Sequence, residues 1–297
     1  KKDELVEFIG ENGHFSTMFD FSAHSLSFGE HGWYDSQPIQ FKDFRNALFH
    51  SQLECQEVGF LANIIENHDE PRGVNRYLPD YARNDAGFKM LGTVSILLRG
   101  LPFLYQGQEI GMQNCPMSSI EEYDDISTHG EYKIAIEAGL SGEEALKVCY
   151  LNSRDNARTP MQWDDSENAG FTTGIPWLKV NPNYTSINVD RQLTDENSVL
   201  SYYKKLLALR KSAEYKDVLT YGTFTPLFEN EENIFAYERR LNDKSVIILA
   251  NFGDKEAILH FKKTATLSIL LNNLEKAFIK ENEITLLPCQ VIVAQCN

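Results

Sequence analysis

The stretch Phe60-Leu61-Ala62-Asn63-Ile64-Ile65-Glu66-Asn67-His68-Asp69 decides the fold. A short apolar run breaks off into polar residues, the pattern of a buried strand with polar groups at its C-terminal tip. Working outward, residues 40–59 read as a helix, with Phe41, Phe44, Leu48, Leu53 and Val58 at mostly helical spacing. Residues 84–99 read as a second helix, with Phe88, Leu91, Val94, Ser95 and Leu98 on one face, Gly100 closing it and Pro102 following. Leu101–Tyr105 reads as a second buried strand, again ending in polar residues, Gln106 to Glu109. Strand, helix, strand with polar groups at both tips is βα architecture, and in a parallel barrel those tips carry the active site.

Further along, residues 110–200 look irregular, with short helices expected at 118–124, 130–138 and 142–151 and a long ordered loop from Thr172 to Asn188. Ser198–Lys211 is the clearest amphipathic helix, through Leu200, Tyr203, Leu206, Leu207 and Leu209. Near Tyr215 the pattern changes to short β-rich segments: Phe224–Phe228, Ile234–Arg239, Ser245–Asn251, Ala257–His260, Ala265–Leu271 and Gln290–Ala294. These predict an antiparallel β-sandwich over residues 216–297, after a βα domain over residues 1–215.

The formal charge of −15 argues against a nucleic-acid partner, which needs a basic surface, and fits a soluble protein acting on a neutral ligand. No segment approaches the roughly 18 to 20 apolar residues of a membrane span; Thr93–Tyr105, the most apolar, is interrupted by Arg99. Five cysteines without CxxC spacing predict neither a disulfide framework nor a zinc site. No metal and no cofactor are expected.

His68 and Asp69 sit at a strand tip, where a charge out of water needs a reason. Asp69 either binds sugar hydroxyls, with His68 donating to the same sugar, or pairs with Arg72 to hold the loop. Three longer stretches weigh on that choice. Asn67-His68-Asp69-Glu70-Pro71-Arg72 resembles the fourth conserved region of family-13 glycoside hydrolases, the α-amylase family. The run from Leu104 to Met112 is similar to the segment after the eighth barrel strand in its α-glucosidase branch. Arg154-Asp155-Asn156-Ala157-Arg158-Thr159-Pro160-Met161-Gln162-Trp163 resembles a long motif of that branch, continuing through Asn168–Gly174 and Val180–Tyr184, and Arg154 lies 85 positions after Asp69 as the family pattern requires.

The resemblance implies the C-terminal part of a (β/α)8 barrel, with strands seven and eight, followed by an antiparallel β-sandwich. It implies retaining hydrolysis of a terminal α-linked glucose from small oligosaccharides, with an oligo-1,6-glucosidase or dextran-glucosidase type favoured. Trehalose-6-phosphate hydrolysis and sucrose hydrolysis or isomerisation are related alternatives. By the same resemblance Asp69 is the carboxylate that stabilises the transition state, while His68 and Arg154 bind the sugar. Arg72 and Glu109 are candidates for a supporting ion pair, Arg158, Gln162 and Trp163 for scaffold of the Arg154 loop, and Trp177 and Tyr184 for the pocket mouth or for packing within their own loop. Gln108 stands where this branch usually has Glu.

The nucleophilic Asp and the acid Glu are expected upstream of Lys1, because the start of the chain aligns with the segment before the seventh strand; Glu11 reads as a surface loop residue, and Asp20 and Asp35 match no motif. The isolated chain is therefore expected to be inactive and, with bare strand edges, to aggregate or dimerise. A non-catalytic relative resembling transporter heavy subunits is the rival from another class, and the joint presence of His68, Asp69 and Arg154 speaks against it. Thiol usage and oligosaccharide-scale substrates point to the cytoplasm.

Overall fold

The computed structural model describes residues 2–261 and 266–296. Its first half holds three parallel strands, β1 (Thr17–Phe19), β2 (Phe60–Asn63) and β3 (Gly100–Pro102), in the sheet order β1-β2-β3. Parallel neighbours need long crossovers, and two helical stretches supply them. After α1 (Lys2–Phe8), helix α2 (Phe41–Cys55) links β1 to β2; α3 (Gly73–Tyr77) and α4 (Asp85–Ile96) link β2 to β3. Asn84 caps α4, its side-chain oxygen accepting from the amides of Ala86 and Gly87.

The strand expected at Phe60–Glu66 ends at Asn63, so Glu66 belongs to the following loop. Gly100 does not close α4, as expected from the sequence, but opens β3. Its φ is +127°, and a Cβ there would lie 2.1 Å from the Leu61 carbonyl oxygen, so only glycine lets β3 approach β2. The strand expected at Leu101–Tyr105 is short and not buried: Leu101, Phe103 and Leu104 are exposed. β3 is an edge strand among the described residues, so the apolar run that suggested burial lies bare.

The middle of the chain carries α5 (Ile126–Glu137), α6 (Gly142–Asn152), α7 (Asp155–Arg158) and α8 (Val189–Leu193), with a 3-10 turn at Ile120–Glu122. α5 begins four residues earlier than periodicity alone predicts because Asp125 caps it, accepting from the Thr128 amide. α9 (Val199–Lys211) is capped by Ser198 and followed by α10 (Lys216–Tyr221). Arg210, buried near the end of α9, donates to the carbonyls of Leu219 and Gly100 and so ties α10 to β3.

Eight antiparallel strands follow among the described residues: β4 (Thr223–Leu227), β5 (Ile234–Leu241), β6 (Lys244–Asn251), β7 (Ala257–His260), β8 (Leu267–Asn272), β9 (Phe278–Lys280), β10 (Glu283–Leu286) and β11 (Val291–Cys296). They make a five-stranded sheet, β4-β5-β6-β11-β8, and a three-stranded one, β7-β10-β9. The expected segment Ala265–Leu271 begins outside the described residues at Ala265; β1 and β9 are too short to show a pattern, and β10, which alternates with Ile284 and Leu286 inward, was not anticipated.

The central strands of the five-stranded sheet are covered on both faces, which is why Ile234–Tyr237 of β5 and Val246–Ala250 of β6 are continuously apolar. Phe235, Tyr237, Val246 and Ile248 point to the helices and join the core of Leu91, Val94 and Leu206. Ile234, Ala236, Ile247 and Leu249 point the other way, into a core with Leu259, Ile284 and Leu286 of the smaller sheet. The seam is pinned by polar bonds. The buried Tyr237 hydroxyl donates to the Val94 carbonyl at 3.0 Å, and Arg239, also buried, donates to the carbonyls of Leu97 at 2.7 Å and Gly222 at 2.9 Å.

Candidate active site

The loop that follows β2 turns sharply, and its polar residues explain why. Asn67 Oδ1 accepts the Asp69 amide at 2.7 Å, and Asn67 Nδ2 donates to Glu70 Oε2 at 3.0 Å. Glu70 is buried and also meets His24 Nδ1 and, at 3.5 Å, Arg76. With Asn67 and Glu70 turned into the protein, His68 and Asp69 are thrown outward. Their side chains are 70% and 53% exposed, so the expectation of a charge held out of water at Asp69 is corrected.

Asp69 is the meeting point of the site. His68 Nε2 lies 3.1 Å from its Oδ2, and Arg154 Nη1 and Arg158 Nη2 each lie 3.1 Å from its Oδ1. Arg158 also donates through Nε to the His68 carbonyl at 2.8 Å. The candidates His68, Asp69 and Arg154 are thus brought together, and Arg158, expected to be scaffold, joins them. One signal for it was in the sequence: Arg154 and Arg158 are four apart, the spacing that places two side chains on one face of a helical turn.

Arg72 does not pair with Asp69. It is fully buried, with Nη1 3.2 Å from Glu66 Oε2 and donating to the Gln106 carbonyl at 2.8 Å, and Nη2 3.4 Å from the Ala157 carbonyl. Its guanidinium therefore joins the loop after β2, the loop after β3 and the turn carrying Arg154. The Tyr105 ring lies 5.6 Å from it. Burial pushes the Glu66 carboxyl up to about 7, against the opposing pull of Arg72.

Glu109 is not an ion-pair partner in the described contacts; its carboxylate accepts the Gly107 amide at 2.8 Å. Gly107 has φ +89°, and a Cβ there would meet Met112 Sδ at 2.4 Å, so this tight turn requires glycine. Gln108, in place of the usual Glu, is buried; it donates to the Tyr203 hydroxyl at 3.3 Å and accepts the Tyr105 amide at 3.4 Å. A neutral amide serves both partners without burying a charge. Gln162 is buried scaffold, donating to Asn183 and the Ile187 carbonyl, and Trp163 is half exposed. Trp177 does not stay within its own loop: its indole donates to Asp124 Oδ2 at 3.1 Å.

A cleft of about 520 Å³ opens beside this cluster, walled by Phe19, Phe21, His24, Phe103 and Tyr105 and reaching Asp69 and His68. Phe19, ending β1, packs edge-on to Phe103 just past β3, with ring centroids 5.0 Å apart. An apolar aromatic wall in one cleft with the Asp69 carboxylate and the His68 imidazole suits a polyhydroxylated ring with one apolar face. Among the described residues, no group of three or more His, Cys, Asp or Glu is placed to hold a metal ion, and no helix is long and apolar enough to cross a membrane.

Residues 3–222 match the family model described as alpha amylase, catalytic domain. The chain belongs to the α-amylase family. Within it, the chain is 42% identical over 242 residues to the oligo-1,6-glucosidase of Parageobacillus thermoglucosidasius, covering 81% of this chain and 42% of the relative. It is 38% identical over 280 residues to the oligo-1,6-glucosidase of Bacillus cereus, covering 93% of this chain and 50% of the relative. The crystal structure of Bacillus licheniformis trehalose-6-phosphate hydrolase superposes with a TM-score of 0.92 at 30% identity, over 100% of this chain and 54% of that one. The trehalulose synthase of Pseudomonas mesoacidophila gives 0.91 at 32% identity, with the same coverage. The chain spans about half the length of the α-amylase-family relatives it matches.

The network behind the site was not legible beforehand. Asp125 and His24 stand in no motif read from the sequence, and Glu70, inside the Asn67–Arg72 motif, carried no expected role. They reach this α-amylase-family site through the folded loops, Asp125 by way of Arg154, and His24 as a wall of the cleft in contact with Glu70. Asp20, which matched no motif, is buried at the end of β1, accepting from Ser51 Oγ at 2.5 Å and the Ser22 amide at 3.0 Å.

Proposed function

We propose that this chain is the C-terminal part of a retaining α-glucosidase that removes terminal α-linked glucose from small oligosaccharides, of the oligo-1,6-glucosidase type. The observation that carries the reading is the convergence of Arg154 and Arg158 on Asp69 at the C-terminal end of β2, beside the aromatic cleft. Barrel enzymes build their sites at that end of the strands. The reading divides the chain into residues 1–215, with strands seven and eight of a (β/α)8 barrel, and residues 216–297, the sandwich.

Retaining glycosidases work with two carboxyl groups, one a nucleophile and one an acid and then a base, through an oxocarbenium-like transition state. In this reading both come from residues preceding the chain. The bare apolar side chains beside the parallel sheet, Phe15, Phe19, Phe103 and Leu104 among them, are the faces those residues would cover. Asp69 accepts hydrogen bonds from sugar hydroxyls that strengthen as the ring flattens, and His68 donates to the same sugar. Arg154 and Arg158 hold the Asp69 carboxylate aimed. A charged acceptor held in place before the reaction stabilises the transition state more than the ground state, and this raises kcat.

Trehalose-6-phosphate hydrolysis is the second reading, favoured by the superposition on the Bacillus licheniformis enzyme. The first reading also places the protein in the cytoplasm, where Cys55, Cys115, Cys149 and Cys289 persist as buried free thiols. The test is the coding DNA upstream of the Lys1 codon, with the complete product assayed on isomaltose and on trehalose 6-phosphate. An upstream barrel segment with an Asp and a Glu at strand tips, and cleavage of isomaltose, is the expected result. A segment without those carboxylates overturns the reading, as does turnover of p-nitrophenyl α-glucoside by the isolated chain, which is expected to be inactive.

A further inference from the structure

Arg154 is held at two edges. Its Nη1 reaches Asp69 at 3.1 Å, while its Nε donates to Asp125 Oδ1 at 2.8 Å and its Nη2 lies 2.6 Å from the same oxygen. The two anchors differ in kind. The Asp69 side chain is 53% exposed, whereas that of Asp125 is 1% exposed.

Asp125 is itself fixed from several sides. Its Oδ2 accepts from the amide of Thr128 at 3.0 Å and from Thr128 Oγ1 at 2.9 Å. Its own amide, like that of Asp124, donates to Asp155 Oδ2, at 2.9 and 2.8 Å. Asp155 is the residue after Arg154, and its amide donates to Ser153 Oγ, which lies 2.8 Å from Thr128 Oγ1. A closed ring of hydrogen bonds thus runs from Asp125 through Thr128, Ser153 and Asp155 back to Asp125. It locks the segment that presents the Asp125 carboxylate to the segment that presents Arg154.

An arginine side chain carries several rotatable bonds, and ordering it against a half-exposed carboxylate alone costs rotamer entropy for a screened contact. A buried carboxylate that accepts from two of its nitrogens removes that freedom beforehand. We propose that Asp125 is a positioning residue for Arg154, holding one edge of the guanidinium so that the other is aimed at Asp69 and at the sugar bound there. The proposal rests on the α-glucosidase reading for its kinetic consequence, but not for its geometric one.

Asp125 also caps α5, and a cap role has to be separated from a positioning role. Asn caps helices as well as Asp does, so Asp125→Asn keeps the acceptor for the Thr128 amide and removes the charge that holds Arg154. Two measurements are made with this variant. In the complete polypeptide, 15N NMR of the Arg154 Nε–Hε group should show a slowly exchanging proton in the wild type. It should exchange at least about tenfold faster in Asp125→Asn, as expected when a charge-assisted bond becomes a neutral one. In the complete polypeptide, kcat on p-nitrophenyl α-glucoside should fall by about 10- to 100-fold in a variant that still unfolds cooperatively, the cost of a misaimed group. An unchanged Arg154 Nε–Hε signal in Asp125→Asn, or an unchanged kcat, makes Asp125 a helix cap only and overturns the proposal. If the complete wild-type polypeptide cleaves no glucoside, the α-glucosidase reading fails, while the Arg154 resonance still decides whether Asp125 holds it.

Discussion

Arg72 and Glu66 form an ion pair in which neither side chain has any solvent exposure, Nη1 to Oε2 being 3.2 Å. Because Arg72 also binds the Gln106 and Ala157 carbonyls, the pair is the post from which three site loops hang. Breaking a buried pair on one side leaves an uncompensated charge and costs about 3 to 5 kcal/mol. Arg72→Met is therefore expected to lower the urea midpoint steeply, and Glu66→Gln added to it should restore part of the loss. A single-variant loss below about 1 kcal/mol, the size of an exposed pair, would falsify this role.

The same pair gives the protein a pH signature. Burial raises Glu66 from 4.5 to about 7, so between those values the folded state holds a proton that the unfolded state has released. Stability through this group then falls as pH rises from 4.5 to 7, because the unfolded chain binds fewer protons. Asp125 works in the opposite sense. Burial pushes its carboxyl up, but the bonds from Arg154 and Thr128 outweigh burial and leave it below its usual 3.8, so its contribution is lost only in stronger acid. Urea titrations across that window should show a declining stability in the wild type and a flatter curve in Glu66→Gln. Parallel curves for the two proteins would contradict the assignment.

At the seam between helix α4 and the five-stranded sheet, Tyr237 donates its hydroxyl to Val94 from a fully buried position. Tyr237→Phe keeps the ring in the core and removes one hydrogen bond, an expected cost of about 1 kcal/mol. Tyr237→Ala should cost about 3 to 5 kcal/mol, the range for deleting a buried aromatic. Chemical denaturation of the two variants measures both, and equal losses would show that the ring contributes nothing beyond its hydroxyl.

Much of this was readable from the chain. The apolar run locates β2, although the strand ends at Asn63 and not at the end of the run, and helices α2, α4 and α9 follow the apolar spacing to within a few residues. Within the five-stranded sheet, β5, β6 and β11 are legible because burial on both faces gives each a continuous apolar run of at least four residues. What escaped is what depends on partners distant in sequence. Strand β1 has three residues and exposed side chains, so no burial pattern betrays it. The partner of Arg72 is not legible, because nothing local says that its side chain turns inward to Glu66 and Asp69 turns outward. Asp125 bears on Arg154 across 29 positions, a relation no window of sequence contains.

The central claim is that Asp69, aimed by Arg154 and Arg158, stabilises the transition state of a retaining α-glucosidase. The most direct measurement follows cleavage of p-nitrophenyl α-glucoside by the complete polypeptide with 1H NMR, for the wild type and for Asp69→Asn. The account predicts α-glucose as the first product, and a fall in kcat of about 100-fold or more in Asp69→Asn, roughly 3 kcal/mol, at an unchanged thermal midpoint. Release of β-glucose first, or an Asp69→Asn enzyme within about threefold of the wild type, well under 1 kcal/mol, would contradict it.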